Sequence, residues 1–244
     1  MTDLIRLGRL SFRDFLALDP LTLRRIAADT ESRRDLEVGL PDQPAVLRRF
    51  RSVIGPIGPI GPIEPAAQTR LVRRWAFELL REKAPALWDA LPYYDWDTSI
   101  VTGRFPAWKT RFLLAGESSA SCLAAFRRTA GIWCVEPIRS IRDYLGSKAD
   151  LLRVKRCQML GVGLEHIPLP DMAADLAIVG PDLGDEPEKS VSELGRVSRT
   201  VLLLDLRPGA ARPDDAWLQA RDFSRGQVRT RAADRPCWWR PAGD

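Results

Sequence analysis

The sequence is poor in residues on which much familiar chemistry depends. It has one histidine, His166, and four cysteines, Cys122, Cys134, Cys157 and Cys237, with no C-x-x-C pair in 244 residues. Tetrahedral zinc sites need closely spaced nitrogen and sulfur ligands, so no structural metal is expected and the thiols should be reduced and mostly buried. No apolar run approaches the about 20 residues that a membrane helix requires. The opening Met1-Thr2-Asp3-Leu4-Ile5-Arg6 lacks the basic-then-apolar order of a secretory leader. A cytoplasmic location without a membrane partner is therefore expected. Lysine is scarce (Lys83, Lys109, Lys148, Lys155, Lys189), so the net charge of +5 rests on arginine. Arginine clusters such as Arg24-Arg25 and Arg48-Arg49-Phe50-Arg51 sit among acids and leave no polarised half. Nucleic-acid binding needs a basic face rather than a high pI, so these clusters read as solvated helix faces and nucleic acid is not the expected partner.

Three regions follow in order. Residues 1–53 read as a helical N-terminal extension, with Ser11 capping one helix and Asp19-Pro20 opening another, because proline at the first helical position loses no needed N–H. Residues 54–65, Ile-Gly-Pro-Ile-Gly-Pro-Ile-Gly-Pro-Ile-Glu-Pro, place proline at every third position and predict an extended linker without internal hydrogen bonds. Residues 66–244 form the remaining domain. Its opening helix carries Leu71, Trp75, Leu79 and Leu80 on one face, and an aromatic stretch with Tyr93, Tyr94, Trp96 and Trp108 leads into the first strand.

The densest signal runs from Phe112 to Glu136. The apolar run Phe112-Leu113-Leu114-Ala115 stops at Gly116; a small-residue turn, a helical segment and a second run, Ile132-Trp133-Cys134-Val135, then end in Glu136. That spacing fits a nucleotide-binding unit, in which an acid at the second strand's tip accepts ribose hydroxyls. It fits equally a buried β-α-β unit with a surface glutamate. Further strands are expected near 154–159, 175–179 and 200–206, with helices near 119–130, 138–146 and 188–198. The alternation implies a parallel sheet covered by helices, and residues 227–231 and 237–240 are expected to close it as an antiparallel pair.

Over residues 108–207 the chain resembles a class I S-adenosylmethionine (SAM)-dependent methyltransferase of the type 11 small-molecule group. Four landmarks carry the resemblance in order: Phe112–Gly116 as first strand and glycine turn, Val135-Glu136-Pro137 as second-strand tip, Glu165-His166-Ile167-Pro168-Leu169-Pro170-Asp171 running into Ala174–Val179, and Glu193-Leu194-Gly195-Arg196-Val197 before Val201–Leu204. The resemblance implies an α/β, Rossmann-like methyltransferase fold with a parallel central sheet, an antiparallel C-terminal strand pair and a helical N-terminal extension. It implies SAM as cofactor, contacted by Gly116, Glu117, Ser118, Glu136, Glu165 and His166, and a small-molecule acceptor. Asp182 and His166 are the candidate acceptor bases. The cofactor motif is degenerate: Leu114 stands where the family has an acid, Ser118 and Ala120 replace turn glycines, and Gly163 replaces the acid that meets adenine. These losses leave open an alternative, an inactive scaffold subunit whose N-terminal extension docks a protein partner. An RNA or protein methyltransferase rests only on the basic balance.

Overall fold

A computed structural model describes residues 10–58, 62–116, 119–180, 182–206 and 213–241, with Ser119 and Ala120 described by backbone alone. Tertiary contacts divide the chain into two units, Met1–Trp88 and Asp89–Asp244.

The first unit is helical: α1 (Phe12–Leu16), α2 (Pro20–Ala28), α3 (Thr30–Gly39), α4 (Pro44–Ile54), α5 (Pro65–Arg74) and α6 (Ala76–Lys83), followed by α7 (Pro85–Asp89), which runs across the boundary. Ser11 caps α1 in a reciprocal box with Asp14, and the Asp19 side chain accepts from Leu21 N–H ahead of Pro20 in α2. Phe15, Leu23, Ile26, Leu36, Phe50, Leu71 and Leu79 form its buried interior. The buried Glu82 accepts from Thr22 Oγ1 at 3.0 Å and from Asp19 N–H at 2.6 Å.

The Ile-Gly-Pro stretch does not separate domains. Helices on its two sides, α3 and α5, pack together, and Gln68 Nε2 donates to Gly39 O at 2.8 Å. Arg33 Nη1 donates to Ile54 O at 3.1 Å, Ile57 is buried, and Glu64 N–H donates to Val38 O at 2.9 Å. An extended segment leaves its backbone groups unpaired, and here α3 supplies a partner near each end of the stretch. The expected break after Pro65 therefore falls inside the first unit, and the observed division comes at Trp88.

The second unit is built on β1 (Arg111–Ala115), β2 (Gly131–Val135), β3 (Cys157–Leu160), β4 (Ala174–Val179), β5 (Ser198–Leu204), β6 (Ser224–Arg229) and β7 (Asp234–Arg240) in one sheet of order β3-β2-β1-β4-β5-β7-β6. The five N-terminal strands are parallel; β7 enters antiparallel to β5 and pairs with β6. Helices α8 (Ser99–Thr102), α9 (Ser119–Ala125), α10 (Arg139–Leu151), α11 (Pro187–Val197) and α12 (Asp215–Gln219) complete it. Phe112, Leu113 and Leu114 are all buried because a parallel strand is covered on both faces. Each contributes about 1.5–3 kcal/mol of burial. Helix α9 is shorter than expected, ending at Ala125, and α10 longer, reaching Leu151. Among the described residues no helix is long and apolar enough to cross a membrane.

Candidate functional site

Four parallel strands reach their carboxyl ends in one register row, Leu160, Val135, Ala115 and Val179. The residues that follow are Gly161, Glu136, Gly116 and Gly180. The central rim of the sheet thus carries three glycines and one long side chain, Glu136. Gly116 has φ +64°, and a Cβ there would meet Gly180 at an ordinary 3.5 Å, so the left-handed backbone rather than crowding selects glycine. Gly180 N–H donates to Ala115 O at 3.0 Å, which joins the two glycine tips. Glu117 and Ser118, expected to contact the cofactor, lie outside the described residues.

Glu136 is 1 % exposed. Its N–H donates to Leu160 O and its Oε1 accepts from Ile138 N–H, each at 3.0 Å. Pro137 has no N–H, so Ile138 is the first amide after the strand that can donate. Arg142, on α10, donates from Nη1 to Glu136 O at 2.9 Å and to Pro137 O. Its guanidinium lies over Gly161, where a Cβ would stand 3.0 Å from Cζ. Arg142 and Gly161 escaped the sequence reading. The available signal was a glycine directly after each of three strands.

Glu165 is half-buried and has no hydrogen-bond partner among the described residues. Its two oxygens press against Gly163 and Gly184, so that a Cβ at either position would collide with them. Gly184 has φ +79°, and its N–H donates to Asp182 Oδ1 at 3.0 Å. Glu165 and Asp182 therefore converge on one glycine in the loop after β4. His166 is exposed, and its electrostatic neighbour is Glu193 on α11. The aromatic stretch is mostly packing: Tyr94 and Trp96 are buried, and Trp96 Nε1 donates to Ser121 Oγ in α9 at 3.1 Å. Trp108 stands 68 % exposed. Of the C-terminal pair, Trp238 is in the core and Trp239 stacks on Phe105.

A cavity of about 830 Å³ lies elsewhere in this unit, bounded by Phe105, Thr200, Ser224, Gly226 and Trp239. None of the rim residues lines it. The rim has the placement expected of a ligand edge in an open α/β sheet, whereas the cavity, which Arg104 and Arg225 also line, lies away from the carboxyl ends of the parallel strands.

The strand order and the antiparallel seventh strand define the class I SAM-dependent methyltransferase fold. In agreement, the chain is similar in structure to a SAM-dependent methyltransferase from Aquifex aeolicus, at 18% identity and TM-score 0.50, over 64% of this chain and 94% of that one. Weaker likenesses are the [4+2]-cyclase SpnF (18% identity, TM-score 0.44, 54% of this chain and 58% of that one) and the YcgJ protein from Bacillus subtilis (18% identity, TM-score 0.42, 50% and 65%). No family model and no curated protein matches the sequence.

Proposed function

We propose that the second unit is a SAM-dependent methyltransferase acting on a small molecule. The observation that supports it most is the placement of Glu136, a carboxylate following β2 in the same row as the left-handed Gly116. Glycines on both sides let backbone approach a ligand closely, and a carboxylate there suits the paired hydroxyls of a ribose. The residues fit the adenosyl group at these points. They also offer a replacement for the acid missing at position 163, since Glu165 fills the space a side chain at 163 would occupy. Bound SAM supplies an activated methyl group for displacement by a nucleophile. The chain's part is to orient the two reactants and to hold the acceptor's proton, a role assigned to Asp182, with His166 as the alternative base. The loop after β4, Gly180-Pro181-Asp182-Leu183, lacks the Asn/Asp-Pro-Pro-Tyr/Phe pattern that the resemblance associates with amino methylation of bases, which favours a small acceptor.

The burial of Glu136 supports a second reading, a binding subunit that has kept the fold and lost the reaction, with the helical unit as its partner-docking arm. Calorimetric titration with SAM and S-adenosylhomocysteine separates the two. Micromolar binding that Glu136→Ala weakens by about 1–3 kcal/mol supports the enzyme. No heat at high micromolar ligand supports the subunit.

A further inference from the structure

One oxygen of the Glu136 carboxylate is held from the turn that follows it. Its Oε1 accepts from Ile138 N–H, so part of its placement comes from the turn Glu136-Pro137-Ile138. Proline removes the amide that would ordinarily pair in the middle of this turn. The remaining groups, the carbonyls of Glu136 and Pro137, both accept from one atom, Arg142 Nη1. Arg142 in turn is placed by its helix, where Arg142 N–H donates to Ile138 O at 3.1 Å, and its guanidinium rests on Gly161 at the end of β3. Any larger residue at 161 would put its Cβ 3.0 Å from Cζ and 3.2 Å from Nε. Gly161 has no left-handed backbone to explain it, and what its missing side chain makes room for is the guanidinium.

We propose that Arg142 is a positioning residue for Glu136, and that Gly161 is the site at which this positioning is permitted or blocked. This rests on the reading of Glu136 as the ribose-binding carboxylate. Two charge-assisted bonds to consecutive carbonyls fix the peptide planes on either side of Pro137, and the amide of Ile138 is then held in place as a donor to the carboxylate.

The test is a double-mutant cycle in the full chain with two readouts. Arg142→Met removes the donor and keeps the length; Gly161→Ala leaves Arg142 in place and forces its guanidinium to shift. Each variant should raise the hydrogen-exchange rate of the Ile138 amide and weaken S-adenosylhomocysteine binding by about ten-fold. The double variant should lose no more than either single one, because both break the same contact. Arg142→Lys, which keeps the charge but lacks the fork, should restore the affinity only in part. Unchanged exchange at Ile138 in both variants, or losses that simply add, would overturn the proposal. If exchange rises in both variants while the unaltered protein binds no nucleoside, the positioning stands and the methyltransferase reading falls.

Discussion

Ile167 N–H donates to Glu193 Oε1 at 2.8 Å, which ties the loop after β3 to the middle of α11. Arg196, three residues on, donates to Ile167 O at 3.0 Å and Leu169 O at 2.9 Å and grips Glu193 as well. Two of the four stretches that carried the family resemblance are therefore one structural device. The second stretch folds over the first and holds its backbone.

Glu193→Gln should destabilise the second unit by about 1–3 kcal/mol at neutral pH, through loss of a charge-assisted pair. The Arg196 guanidinium holds the Glu193 carboxyl below its usual range, outweighing the opposing effect of burial, while the Ile167 amide and the charges of Arg196 and His166 act the same way as the guanidinium. A depressed carboxyl contributes stability that is complete above its unfolded value and is lost as the pH falls through the folded one. The gap between the two proteins in urea unfolding should be widest near pH 7 and shrink below about pH 4. A gap independent of pH would remove the charge from the explanation.

The two glycines that cradle Glu165 should respond differently to alanine. Gly184 has φ +79°, so Gly184→Ala adds backbone strain of about 1–2 kcal/mol to the displacement of Glu165. Gly163 has no such backbone, and Gly163→Ala should cost only the displacement. Chemical denaturation of both variants checks the order, and Gly163→Ala combined with Glu165→Ala should recover most of its loss.

Among the thiols, Cys157 should alkylate first. The hydrogen bond from Cys134, 4.0 Å away, lowers Cys157, and the same bond with burial pushes Cys134 well up. Burial raises Cys237 to about 11 and holds Cys122 higher still. Timed iodoacetamide labelling of the native protein, read by peptide mass, should show Cys157 modified well before the other three. Equal rates would mean that the sheet opens faster than the reagent acts.

Trp96→Phe keeps the buried ring mass and removes the indole donor to Ser121. A loss of about 0.5–1.5 kcal/mol is expected, and Ser121→Ala should cost less in the Trp96→Phe background than in the unaltered protein. Thermal unfolding of the four proteins in the cycle decides it.

Strands β1, β2, β4 and β5 could be read because each carries a short apolar run that stops at a glycine, an acid or a turn, and a strand buried on both faces needs no alternation to be seen. Glu136 was legible for the same reason, as the polar residue directly after Val135. Arg142 was not, because its partners are main-chain carbonyls and no side-chain pattern announces them. Glu165 was placed by resemblance, but its cradle joins glycines from two loops that only the fold brings together. The same holds for the Ile-Gly-Pro stretch. Proline spacing predicts an extended conformation for residues 54–65, but it does not announce that the helices on its two sides, α3 and α5, pack together.

Strand β7 lies between β5 and β6 although it follows both in the chain. During synthesis, Val201–Leu204 must wait with an open edge until residues 237–240 have left the ribosome, and the interior lacks Trp238 until the same moment. The strand made last in this sheet is thus the one that seals it. A nascent chain stalled before β7 is made would expose a bare apolar β edge, the kind of surface that chaperones and neighbouring chains seize.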